Sequence, residues 1–169
     1  KEFEKRMYVY NYRLFDRYDR KVATLAVLAD DRAKWRPESF GYELFGCEVR
    51  LKFPHVKLLD YKKQEKQLAE SQNPFAIVVL AYLKTRATVK APRRRFQWKL
   101  RVFKLLYERG YAKEDILELT RFLDWIMVLP KDMEHRFKEA VFQYEEERKM
   151  RYVTSFERIG LEKGLQQGL

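Results

Sequence analysis

Apolar side chains recur at helical spacing from the start of the chain: Phe3, Met7, Tyr10, Leu14 and Tyr18 share one face, with Arg6, Arg13 and Arg17 in a neighbouring stripe. The spacing predicts an amphipathic helix over 3–18 with a basic edge. The pattern then changes to an unbroken apolar run, Val22 to Ala29, closed by Asp30 and Asp31. Eight such residues are too few for a buried helix and read as a buried strand. Trp35-Arg36-Pro37 marks a loop, and Tyr42 to Phe45 and Glu48 to Phe53 flank Gly46 as two short strands about a glycine turn. Val56 to Leu59 is expected to add another. Beyond residue 60 the spacing is helical throughout. Lys62 to Ser71 is a polar helix, and Asn73-Pro74 supplies a cap and a first-turn proline for Phe75 to Thr85. A helix over 93–109 turns Phe96, Leu100, Phe103 and Tyr107 inward and ends at Gly110, where a left-handed cap is expected. Helices over 113–127 and 132–150 follow, and Thr154 with Glu157 forms a capping box for a last helix carrying Gly160, Gly164 and Gly168.

Charge changes this picture. The 169 residues carry 36 Lys and Arg against 25 Asp and Glu, a formal net charge of +11 that favours a polyanionic partner, nucleic acid first among them. Residues 84–109 hold ten cations and a single acid, Glu108, and so account for most of that excess. No apolar run approaches the roughly 18 residues that cross a bilayer, so no membrane role is expected. One cysteine, Cys47, allows neither an intramolecular disulfide nor a thiolate zinc cluster, and a reducing, cytoplasmic setting is expected.

Candidate chemistry is sparse beside candidate binding. Arg93, Arg94, Arg95, Lys99 and Arg101 could track a phosphate backbone, since clustered cations release condensed counterions on binding; the competing reading is a solvated helix face. Arg6, Arg13 and Arg17 offer a second edge, or simply pair with Glu2, Asp16 and Asp19. Asp30 and Asp31 end a strand where α/β enzymes hold carboxylates for Mg²⁺, but no Glu or His recurs nearby at ligand spacing and a turn is the commoner explanation. His55 and His135 stand apart from any constellation, Cys47 reads as a small strand residue, and no glycine lies in a phosphate-binding loop pattern. No residue is assigned as catalytic and none as a metal ligand.

Several separated strings add a resemblance. Phe3 to Tyr18, Trp35-Arg36-Pro37, Asn73-Pro74-Phe75-Ala76, Asp124 to Pro130 and Tyr152 to Arg158, in that order, resemble bacterial proteins of the recombination-promoting nuclease and putative transposase family, which are PD-(D/E)XK nucleases. The resemblance covers essentially the whole chain. It implies an α/β fold, mixed and mostly helical: 1–60 as the later half of a restriction-endonuclease-like core (helix plus short sheet), 61–153 as a helical extension containing the basic helix 93–109, and 154–169 as a glycine-punctuated helix that could mediate self-association. In that family a catalytic Asp and a Glu-x-Gln motif sit on a hairpin before the helix matched by Phe3 to Tyr18, so they are expected upstream of residue 1. The resemblance implies Mg²⁺-dependent hydrolysis of DNA by the complete protein, linked to recombination or transposition, with no cofactor and no activity expected of this chain alone. The competing class is a non-enzymatic DNA-binding or self-association module.

Overall fold

The computed structural model describes residues 2–148 and shows a mixed α/β fold, mostly helical, with two small open sheets. The chain divides into two compact units, one ending at Lys62 and the other starting at Lys63. Among the described residues no helix is long and apolar enough to cross a membrane. The capping box at Thr154 and the glycines at 160, 164 and 168 lie outside the described residues.

The first unit opens with α1 (Glu2–Tyr18), which has acids in its first turn and Arg17 in its last, as the helix dipole favours. Strands β1 (Ala26–Leu28) and β4 (His55–Lys57) pair in parallel, Val27 opposite Val56, while β2 (Ser39–Leu44) and β3 (Cys47–Lys52) form an antiparallel hairpin between them in sequence. Phe45 and Gly46 make the two-residue turn with φ of 50° and 78°, the doubly left-handed geometry whose twist matches a hairpin. A small core of Ala26, Leu28 and Phe53 is packed by Phe3, Met7, Trp35 and Leu51. Asn11 ties α1 to the following segment by donating to the Val22 carbonyl (3.1 Å) and Thr24 Oγ1 (2.9 Å).

Two expectations need correction here. The apolar run at 22–29 gives only a three-residue strand, and it is buried on one face alone: Ala26 and Leu28 are inside, whereas Leu25 and Val27 are 58% and 59% exposed. The last strand falls at His55–Lys57 and not at 56–59, because Leu58 begins a 3₁₀ segment, Leu58–Gln64.

The second unit is an assembly of helices: α2 (Glu65–Glu70), α3 (Pro74–Ala87), α4 (Pro92–Glu108), α5 (Lys113–Ile126) and α6 (Lys131–Glu147). Asn73 caps α3, its side chain accepting from the Phe75 N–H at 2.9 Å, with Pro74 in the first turn where no amide donor is missed. Helix α3 is apolar nearly all round and packs against α2, α4 and α5, which makes it the central element. Gly110 follows α4 at φ 66°, a left-handed position that a Cβ would strain. Helices α4 and α6 run parallel. Phe96 meets Phe137 at one end of their seam, Phe103 touches Phe137 and Tyr144 midway, and Tyr107 reaches Tyr144 further along, each pair edge to face. Of the four α4 residues expected inward, Phe103 and Tyr107 are buried, while Phe96 and Leu100 are only half-buried.

Candidate nucleic-acid interface

Helix α4 carries the densest positive charge, and the fold divides its cations by the face they occupy. Arg95, Lys99, Val102 and Leu106 are spaced by four, three and four residues, so they lie on one stripe, and that stripe faces the core. Lys99 is fully buried. Its ammonium meets Glu134 (3.0 and 3.3 Å) and Asp124 (3.0 Å) and lies 4.6 Å from the centre of the Phe137 ring. Glu134 in turn accepts from the Leu129 N–H at 3.1 Å, so one carboxylate serves both the entry to α6 and the Lys99 charge. The Arg95 guanidinium donates to Thr88 Oγ1 (3.3 Å) and to the carbonyls of Thr85 and Val128 (3.2 Å each), closing the end of α3 against the segment after α5. Both cations are thus engaged inside the second unit.

Other cations near α4 are similarly occupied. Lys84 is buried, pairs with Glu65 and lies 3.8 Å from the centre of the Trp98 ring. Arg109 donates to the carbonyls of Leu68 (2.8 Å) and Ala69 at the end of α2. Cations remaining on the surface are Arg86, Lys90, Arg93, Arg94 and Arg101, with Lys104 half-buried over the Tyr144 ring. Arg93 and Arg94 make no ion pair among the described residues, and Arg101 rests over Trp98 at 5.3 Å. Arg93, Arg94 and Arg101 occupy the side of α4 that also holds Gln97.

On α1, the three sequence candidates are all exposed. Arg6 donates to the Tyr10 hydroxyl at 3.2 Å, Arg17 stacks 5.3 Å from the centre of the Tyr18 ring, and Arg13 makes no ion pair among the described residues. The alternative reading pairs these arginines with Glu2, Asp16 and Asp19; among the described residues Glu2 lies near enough to Arg6 to help hold its charge, and no salt bridge joins them to Asp16 or Asp19. Around them Tyr10, Tyr12, Leu14, Phe15 and Tyr18 are exposed, and α1 buries no residue fully.

After β1, Asp30 and Asp31 lie in a bend, as the turn reading has it, and Asp30 holds an ion pair as well. Asp30 accepts from the fully buried Lys57 ammonium at 2.6 Å and from the Arg32 N–H at 2.9 Å. Burial pushes the Asp30 carboxyl up, but the hydrogen bonds from Lys57 and Arg32 outweigh it and hold the group below its ordinary value. Arg36 grips Asp60 through two bonds of 2.7 and 2.9 Å, and that fork lowers the Asp60 carboxyl as well. Sequence reasoning missed Lys57 and Asp60. The signal for Lys57 was its place opposite Leu28 in an apolar strand register, which requires knowing the pairing.

Among the described residues no group of three His, Cys, Asp or Glu side chains is placed to hold a metal ion. His135 lies 3.9 Å from Glu139 on an exposed helix face, and Cys47 is exposed at the hairpin turn. No family model, curated protein or solved structure matches the chain.

Proposed function

We propose that this chain is part of a metal-dependent DNA endonuclease of the PD-(D/E)XK type, associated with recombination or transposition, in which it supplies scaffold and a cationic surface while a further strand hairpin supplies the metal-holding carboxylates. On this reading α1, β1 and β4 belong to a restriction-endonuclease-like core, and the helices after residue 62 are its extension. The observation that carries it is β1. The strand pairs in parallel on one edge with β4, its second edge is unpaired among the described residues, and Val27 within it and Leu25 just before it are exposed although the run is apolar on both faces. Parallel strands with continuous apolar sequence belong inside sheets covered on both sides. A hairpin added at that edge would continue the sheet beside α1.

Mg²⁺ is the ion such a fold implies, and the described residues do not fit it: Asp30 and Asp60 are held by Lys57 and Arg36, and no group of three possible ligands forms among the described residues. No catalytic step is therefore given to a residue of this chain. The contribution assigned to it is phosphate neutralisation by Arg93, Arg94 and Arg101 on α4, with Arg13 and Arg17 on α1 as a second edge. The same surface would serve a non-enzymatic DNA-binding module. Nicking of supercoiled plasmid in Mg²⁺ separates the two. The reading expects cleavage when an antecedent hairpin bearing Asp and Glu-x-Gln is joined to the chain, and none from the 169 residues alone. Cleavage by the 169 residues would overturn it, and a joined hairpin that binds DNA without cutting would leave the binding module.

A further inference from the structure

Beside the exposed arginines of α4 lies a cleft of about 440 Å³ between the first turns of α4 and α6, lined by Arg93, Phe96, Gln97, Met133 and Arg136. Its chemistry is mixed in a particular way. Arg93 and Arg136 are exposed and make no ion pair among the described residues, whereas Phe96 and Met133 are half-buried and form an apolar floor. The Phe96 ring is fixed by its edge-to-face contact with Phe137, at 6.4 Å and 88°. A second hollow of about 380 Å³ shares Phe96 and Gln97 and continues along α4 past Leu100 and Leu105, with Arg101 and Lys104 among its lining and Glu108 at its far end. Floor and cations therefore recur together along the helix. Arg93 and Arg101 are eight residues apart, about 12 Å of helix rise.

We propose that this pair of hollows binds unpaired nucleotides, the bases against Phe96, Met133 and Leu100 and the phosphates on Arg93, Arg136 and Arg101, so that the chain prefers single-stranded or frayed DNA over intact duplex. The inference rests on the DNA reading above and narrows its substrate. A duplex presents phosphates to a helix face and would leave the apolar floor uncovered; an unstacked base has a π-face to cover it. The guanidinium fork matches phosphate oxygens, and the Gln97 amide can both donate to and accept from a base edge. An acidic amphipathic peptide is the rival occupant. The recurrence of a planar guanidinium beside each stretch of apolar floor favours the nucleotide, since peptide carboxylates need no aromatic platform.

Arg136 and Gln97 discriminate, because neither belongs to the duplex-contacting set and both are exposed, so Arg136→Ser and Gln97→Ala should melt like the parent. The test is fluorescence anisotropy of the full chain with a labelled oligothymidylate and with a duplex of equal length, each over a salt series. Arg136→Ser should weaken oligothymidylate binding about tenfold, as expected for a lost charged hydrogen bond, and lower its salt slope by about 0.7. Duplex affinity should change less than twofold. Phe96→Leu should weaken only the single strand, and circular dichroism would check its folding. Equal losses on both forms, or no loss on the single strand, would overturn the inference. So would a poly-glutamate peptide that binds the parent and is lost in Arg136→Ser while oligothymidylate binds both alike. Duplex binding that depends on Arg93, Arg94 and Arg101 alongside unchanged oligothymidylate binding would sink this inference and leave the endonuclease reading intact. Binding of neither form would remove the DNA reading itself.

Discussion

Replacing Lys99 by Met separates cations that hold the fold from cations that could hold DNA. The parent ammonium is fully buried and bonded to Glu134 and Asp124. Removing one partner of a buried pair costs about 3–5 kcal/mol when the other charge is stranded. Here the Glu134 and Asp124 side chains are 32% and 54% exposed, so both can rehydrate, and Met keeps the stem against Phe137. The expected loss is accordingly about 2–3 kcal/mol, at the low end of that range or below it. For a unit of this size that is a fall of roughly 10–20 °C in the thermal midpoint, read by circular dichroism. The salt slope of duplex binding, measured well below that midpoint, should not move. The triple change of Arg93, Arg94 and Arg101 to Ser should do the reverse. Stability should stay within about 0.5 kcal/mol, and three lost phosphate contacts should lower the slope by about 2.7. Between 50 and 200 mM salt the parent would then lose about 40-fold more affinity than the variant. A flattened slope for Lys99→Met at unchanged midpoint would refute the division of α4 into an inner and an outer face.

Three further outcomes follow from the same contacts. Arg95→Met should cost about 2 kcal/mol through the lost bonds to Thr85, Thr88 and Val128 and leave the salt slope alone; a slope change without a stability change would contradict it. The carboxyls of Asp30 and Asp60 lie below their ordinary 3.8, so the unfolded chain takes up their protons first as pH falls. Their contribution is complete above about pH 4 and is lost as pH drops through the depressed values. Urea midpoints followed by Trp35 fluorescence, with Trp98 and Trp125 replaced by Phe, should therefore decline in acid, and Asp60→Asn should lessen that decline; an identical acid profile would count against the Arg36 fork. Phe45 is 99% exposed at φ 50°, so Phe45→Asn should stabilise the hairpin by about 1 kcal/mol, and a lower urea midpoint would show that the ring has a contact to lose.

Much of the helical layout was legible because its punctuation is chemical: Asn73-Pro74 opens α3, Gly110 closes the turn after α4 and Pro130 precedes α6. The hairpin was legible from Gly46 and the strands beside it. Burial was less so. Arg95 and Lys99 counted as surface charge in a sum over residues, although their spacing with Val102 and Leu106 already put them on the core stripe. Most of their partners could not be read, since Glu134, Asp124 and Val128 come from later segments, and Thr85 and Thr88 from the end of the preceding helix, that only the fold brings near. The apolar run before Asp30 correctly signalled a strand, but apolarity states what a residue can cover and not what covers it, so the bare face of β1 was hidden. The cleft between α4 and α6 depended on Met133 and Arg136, whose distance in sequence from Phe96 concealed them.

The parallel course of α4 and α6 also governs how the second unit can form. Two neighbouring helices pointing the same way cannot close as a hairpin, so α5 must be in place before the aromatic seam from Phe96 to Tyr144 assembles. During synthesis Lys99 emerges 35 residues ahead of Glu134, and until that acid arrives its ammonium belongs in water. The seam between α4 and α6 thus joins residues distant along the chain and closes late, whereas the neighbouring pairs α2 with α3, α3 with α4 and α4 with α5 can dock as they emerge.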